Sequence, residues 1–253
     1  MIRVLVKQGR GLLVVVAMLA IAVAACSSGG GPNASGNTNA PGNGSTNQPG
    51  ASDGGFASGL SGNLANLDSY KFTWSVMGAD SASASASSGG SISGIVINKP
   101  AKASNVNFYG AQYITIGSEG WISSDGTSWM ANPSASSVDS MLPTTSYAGF
   151  FDAYAQSYKQ VGTENKNGVD SVHFQGDTST LSGLFARYGG LSNLHADLWI
   201  AKSGNYPVSG IFSFSYAAGT NAGSFGMTFD ITNVNDPANK VEKPTNIIAL
   251  PSL

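Results

Sequence analysis

The sequence predicts an α+β domain: one curved antiparallel sheet, a half-barrel of about 10–11 strands, with helices covering its concave face. Three observations lead there. Apolar and polar residues alternate with period two in segment after segment, from Tyr70-Lys71-Phe72-Thr73-Trp74 to Phe225-Gly226-Met227-Thr228-Phe229. The connections between these segments are short and rich in Gly, Asn and Asp, which suits hairpins rather than crossover units. The period-two pattern gives way to helical spacing only in a few short stretches.

The chain has 253 residues. It opens with Arg3, Lys7 and Arg10, followed by an apolar run from Gly11 to Ala25. A positive segment, an apolar segment and small residues before Cys26 form an export signal, residues 1–25. The run is shorter than the roughly 20 residues that span a bilayer comfortably. Residues 26–55 are Gly-, Ser-, Asn- and Pro-rich and nearly devoid of apolar side chains. Such a stretch buries too little surface to offset its ordering entropy and is expected to be a disordered tether. A Gly-rich coil of about 28 residues reaches roughly 30 Å r.m.s..

A folded domain is expected over 56–245, with 246–253 as a C-terminal tail. Phe56, Leu60, Leu64 and Leu67 form one stripe of a short helix. Tyr70 to Val76 is the first strand. Ala79 to Gly90 is a Ser/Ala/Gly hairpin tip. Strands follow at Ile92–Asn98, Ser104–Tyr109, Gln112–Gly117, Trp121–Ser123 and Ser128–Ala131, with turns at Lys99-Pro100, Ser118-Glu119-Gly120 and Asp125-Gly126. Pro133 to Leu142 holds a short helix closed by Pro143. Tyr147, Phe150, Phe151 and Tyr154 at i, i+3, i+4 and i+7 mark the most aromatic helical stripe. Tyr158–Glu164 and Val169–Gln175 are strands about an Asn167-Gly168 turn. Asp177 is placed to cap a helix bearing Leu181, Leu184 and Phe185, stopped at Gly189-Gly190. Leu194–Ala201, Pro207–Ala217 and Ser224–Thr232 complete the sheet. The chain after Asn233 reads as extended.

Most of these strands carry one apolar face, and large aromatics dominate it. A single sheet must cover that face, and only about four short helices are available to do so. A thin cover over a wide sheet leaves room for an apolar cavity.

Several pieces resemble the lipoprotein-carrier fold of lipoprotein localisation factors (LolA/LolB-like), nearest the LppX/LprG group of bacterial lipid-anchored lipoproteins. Val23-Ala24-Ala25-Cys26 resembles a bacterial lipobox. Leu67-Asp68-Ser69-Tyr70 is similar to the family's opening of the first strand. Gly120-Trp121-Ile122 with Asp125-Gly126 and Trp129, Val161-Gly162-Thr163-Glu164 with Asn167-Gly168-Val169 and Phe174, and Leu198-Trp199-Ile200-Ala201 with Gly204 and Tyr206-Pro207-Val208 resemble its later strand pairs. Asp230-Ile231-Thr232-Asn233-Val234-Asn235 with Pro244 is similar to its close. Ala201 stands where the family often has an acidic residue, and an Arg or Lys after the first strand is missing.

The resemblance implies that the Cys26 thiol carries lipid, that the peptide is cut before it, and that the protein binds acyl chains without covalent chemistry. It implies as ligand-binding liners Phe72, Trp74, Ile95, Ile97, Phe108, Ile114, Phe150, Phe151, Tyr154, Leu184, Phe185, Phe212, Phe214 and Phe229. The expected partners are a lipid or the acyl chain of a lipoprotein, and the membrane through the Cys26 anchor. The expected location is extracytoplasmic, on the outer face of the cell membrane or on an outer membrane. The alternative function for the same fold is an envelope sensor or scaffold binding a protein partner.

The residues carry little chemistry of their own. Charged side chains are 10% of the chain and the formal net charge is -2, so no basic patch for nucleic acid is expected. The single cysteine excludes an intramolecular disulfide. His173 and His195 fall on separate strands, and neither has a metal-ligand spacing. Asp197 lies two residues from His195, on the same face of a strand. In a serine-rich chain a Ser/His/Asp trio arises by chance, and no Gly-x-Ser-x-Gly elbow leads from a strand into a helix. The expectation is therefore a monomer that is not an enzyme, with no metal and no cofactor.

Overall fold

A computed structural model describes residues 59–80, 90–132, 138–139, 142–143, 148, 151–152, 157–179, 190–218 and 221–248. The chain divides into two units, Met1–Gly55 and Phe56–Leu253. The first lies outside the described residues, so the signal, Cys26 and the tether remain expectations.

Among the described residues one helix, α1 (Leu60–Asn66), precedes twelve strands. These are β1 (Ser69–Asp80), β2 (Ser91–Ile97), β3 (Ala103–Phe108), β4 (Ala111–Ile116), β5 (Glu119–Ser123), β6 (Trp129–Ala131), β7 (Tyr158–Lys166), β8 (Val169–Gly176), β9 (Gly190–Ala201), β10 (Pro207–Ala218), β11 (Asn221–Thr232) and β12 (Ile247–Ile248). They form a single open sheet in the order β12-β6-β5-β4-β3-β2-β1-β11-β10-β9-β8-β7. Every pairing is antiparallel except β12 against β6. The twelfth strand exceeds the expected number because the extended C-terminal stretch returns to pair with β6.

The hairpins follow from their turn residues. Asn167 (φ 52) and Gly168 (φ 81) are both left-handed between the paired Lys166 and Val169, as a type I′ turn requires. Tyr109 (φ 52) and Gly110 (φ 92) do the same between β3 and β4. The β4–β5 turn is Gly117-Ser118, one residue earlier than the sequence suggests, because Gly117 supplies the positive φ.

α1 is held at both ends by other segments. Its first backbone N–H groups, on Leu60 and Ser61, donate to the Asp152 carboxylate at 2.8 and 3.3 Å. A carboxylate there satisfies orphan donors and suits the helix dipole. At the other end Asn98 Nδ2 donates to the Leu64 and Leu67 carbonyls. Leu60 and Leu64 are fully buried in the main core.

The expected cover of about four helices falls largely outside the described residues. Within them, Ala148 and Phe151–Asp152 are helical, and Ala148 and Phe151 are fully buried.

Candidate functional site: the aromatic inner face

Strand register assigns each side chain to a face, because directly opposed residues of an antiparallel pair share one. Phe72 opposes Ile231, Trp74 opposes Phe229 and Val76 opposes Met227 across β1–β11. Phe212 opposes Met227 and Phe214 opposes Phe225 across β10–β11. These residues form one wall, and Leu198, Phe174, Ile200 and Val172 extend it into β9 and β8. Phe212 and Phe214 meet edge to face at 5.7 Å, and Phe214 lies 5.3 Å from Phe225. Two glycines give this wall its shape. The Phe229 ring lies across Gly210, where an added Cβ would sit 2.3 Å from Phe229 Cε1 and 3.0 Å from Phe151 Cζ. Gly94 likewise leaves space for Phe72.

Phe151 is seated on this wall. Its ring lies 5.5 Å from Phe229 and 5.9 Å, edge to face, from Tyr158. Burial, with the Asp197 charge adding to it, pushes the Tyr158 phenol well above its ordinary value.

Of the expected liners, Phe72, Trp74, Phe151, Phe212, Phe214 and Phe229 are brought together in the main core, with Phe108 half-buried at its margin. Phe150, Tyr154, Leu184 and Phe185 lie outside the described residues. Three placements are corrected. Ile95 and Ile97 face the other way, because Ile92, Gly94 and Val96 oppose Trp74, Phe72 and Tyr70. The run Ile92-Ser93-Gly94-Ile95-Val96-Ile97 is apolar in both parities, and Gly94 favours this register because an added Cβ would sit 2.4 Å from the Asn105 carbonyl oxygen and 3.0 Å from Phe72 Cε1. Ile114 also lies on the outer face, opposite Trp121. It joins Trp121 and Trp129 in a second cluster packed by Val241. The returning C-terminal stretch covers that cluster: Trp129 N donates to the Asn246 carbonyl at 2.9 Å, and Lys243 Nζ stands 5.0 Å from the Trp121 ring and 3.0 Å from Glu119 Oε1.

On the outer face of β7–β9 the histidines are better supported than a solvated position suggests. His173 Nε2 lies 2.8 Å from Asp197 Oδ1, and His195 Nε2 lies 2.5 Å from Asp197 Oδ2. Trp199 stacks on His173 at 4.5 Å and donates to Glu164 Oε1, while Lys166 Nζ stands 4.1 Å over Trp199. Sequence spacing pairs Asp197 with His195 but contains no sign of His173, which arrives from β8. Beside His195, a shallow cleft of about 400 Å³ is lined by Lys159, Gln175, Asp177 and Thr178. Among the described residues no group of three or more His, Cys, Asp or Glu side chains is placed to hold a metal ion, and no helix is long and apolar enough to cross a membrane.

No protein-family profile matches this sequence, and no curated protein matches it. Among solved structures, the chain is similar to the Mycobacterium tuberculosis lipoprotein LppX, at 17% identity over 72% of this chain and 94% of that one, with a TM-score of 0.36. It is similar to a LolA superfamily protein from Nitrosomonas europaea, at 11% identity over 72% and 89%, TM-score 0.22. A third likeness is to a putative outer membrane lipoprotein-sorting protein domain from Vibrio parahaemolyticus, at 12% identity over 67% and 87%, TM-score 0.19.

Proposed function

We propose that this protein is a lipid-anchored, extracytoplasmic binding protein that holds a lipid or acyl chain against the inner face of its sheet. Cys26 is the anchor. The observation that carries the reading is the placement of Phe151. Its ring rests on Phe229 over the backbone of Gly210 and meets the Tyr158 ring edge to face. An acyl chain satisfies the same surface, since each methylene leaving water contributes about 0.8 kcal/mol. Binding then consists of exchanging the contacts of the segment around Phe151 for contacts with the chain, and no catalytic group is needed.

The test is mass spectrometry of the protein purified from membranes in gentle detergent, under native and denaturing conditions. The reading expects a thioether-linked diacylglycerol on Cys26 and, separately, a non-covalent lipid lost on denaturation. A bare mass in the native spectrum, with a protein partner retained instead, favours the sensor or scaffold alternative.

A further inference from the structure

The inner wall continues as a row of apolar side chains that crosses the strands to one edge of the sheet. Register partners share a face, so the row can be followed strand by strand. Phe72 of β1 opposes Gly94 of β2, and Gly94 opposes Val106 of β3. Val106 opposes Tyr113 of β4, Tyr113 opposes Ile122 of β5, and Ile122 opposes Met130 of β6. Met130 lies beside Ile248 of the edge strand β12.

Burial grades along this row. Val106 is fully buried, Tyr113 and Ile122 are half-buried, Met130 is 42% exposed and Ile248 is 50% exposed. Beyond β3 the row is one side chain wide. Met130 is the one inward-facing residue of β6, because Trp129 and Ala131 face outward. On the same face Tyr113 and Ile122 are flanked by Ala111, Thr115 and Gly120, and the Thr115 hydroxyl is bonded to that of Ser104 at 2.7 Å. From Ala111 to Asn132 the chain carries two charges, Glu119 and Asp125. Glu119 opposes the outward Ile116 and pairs with Lys243. Asp125 sits in the β5–β6 turn, bonded to Ser123, Thr127 and Ser128. Neither belongs to the row.

We infer that one acyl chain lies across the strands along this row, with its tail end at Phe72 and its polar head in water beyond Met130 and Ile248. The inference rests on the proposed acyl-chain binding and adds the direction of the chain and the mouth of its site. Width, length and the burial gradient select this occupant. A strip one side chain wide suits a single alkyl chain, whereas a stable protein partner needs about 800 Å² on each side. Four steps from β3 to β12 at about 4.8 Å each span about 19 Å, longer than the roughly 15 Å that one leaflet of a bilayer gives an acyl chain. The buried end suits hydrocarbon, and a charged or hydrogen-bonding head stays where water reaches it.

The experiment titrates the full chain with parinaric acid, a fatty acid whose polyene tail is itself fluorescent and whose carboxylate is free. Met130→Asp and Met130→Lys both remove the exposed methionine but leave opposite charges at the proposed mouth. Met130→Asp is expected to raise Kd by at least about tenfold, through repulsion of the fatty-acid carboxylate and lost apolar contact. Met130→Lys is expected to bind within about twofold of the unsubstituted chain, or more tightly, because its ammonium pairs with that carboxylate. Ile247→Asp places a charge on the opposite face of the same edge and is expected to change Kd by less than about twofold at about 0.15 M salt. Saturable binding with the same Kd in Met130→Asp and the unsubstituted chain overturns the inference and leaves acyl-chain binding standing. Equal losses in Met130→Asp and Met130→Lys do the same. No saturable binding by the unsubstituted chain overturns both.

Discussion

Replacing Phe151 with alanine is the perturbation that separates a seated aromatic from an incidental one. The side chain is fully buried, with Phe229 at 5.5 Å and Tyr158 at 5.9 Å. Truncating such a residue removes its transfer free energy and leaves a cavity, a loss of about 3–5 kcal/mol. In a domain of this size each kcal/mol lowers Tm by about 2–4 °C, so a fall of roughly 6–20 °C is expected by calorimetry. The same vacancy lies where the acyl chain is proposed to sit. Binding of a fluorescent fatty acid should therefore tighten in Phe151→Ala while stability falls, a divergence that simple core damage does not produce. A Tm change below about 2 °C would refute the packing argument, and weaker fatty-acid binding in a folded variant would refute the proposed exchange.

Four further outcomes are expected. Gly210→Ala drives a methyl group to within 2.3 Å of the Phe229 ring, so overpacking should cost about 1–3 kcal/mol in urea denaturation. Asp197→Ala strips both imidazoles of their shared acceptor and should destabilise by about 1–3 kcal/mol, read from the same denaturation curve. Truncation after Lys240 removes Val241 and β12 and uncovers Trp121 and Trp129, which should shift tryptophan emission to the red without abolishing the main transition. Backbone N–H bonds from Ser128 and Thr127 hold the Asp125 carboxyl below its ordinary value, and the Asn233 amide with the Ala238 N–H does so for Asp236. Because both are lowered in the folded state, their contribution is present above about pH 4 and is lost as pH falls further. The amide resonances of Thr127, Ser128 and Ala238 should move at lower pH than those beside ordinary exposed carboxylates.

Most strand positions were readable because alternation over six or more residues is a strong signal, as in Phe225 to Ile231. Type I′ turns such as Asn167-Gly168 marked their hairpins for the same local reason. The failures are non-local. Ile95, Ile97 and Ile114 sit in strands apolar on both faces, so alternation alone does not choose between them. For β2 the choice lies in Gly94, which must be small against the Asn105 carbonyl of β3 and the Phe72 ring of β1. For β4 it lies in Val241, more than a hundred residues later, which gives Ile114 a dry outer surface. The link between His173 and Asp197 likewise depends on the β8–β9 register, which no single strand contains.

Trp74 provides the most direct test of the central claim. Of the four tryptophans it is the one on the inner wall, whereas Trp121, Trp129 and Trp199 belong to the outer face. Titration with a fatty acid brominated along its chain should quench the emission of the unsubstituted protein, and Trp74→Phe should remove nearly all of that quenching. Quenching that survives in Trp74→Phe, or none in the unsubstituted protein at saturating ligand, would contradict an acyl chain lying against the inner face.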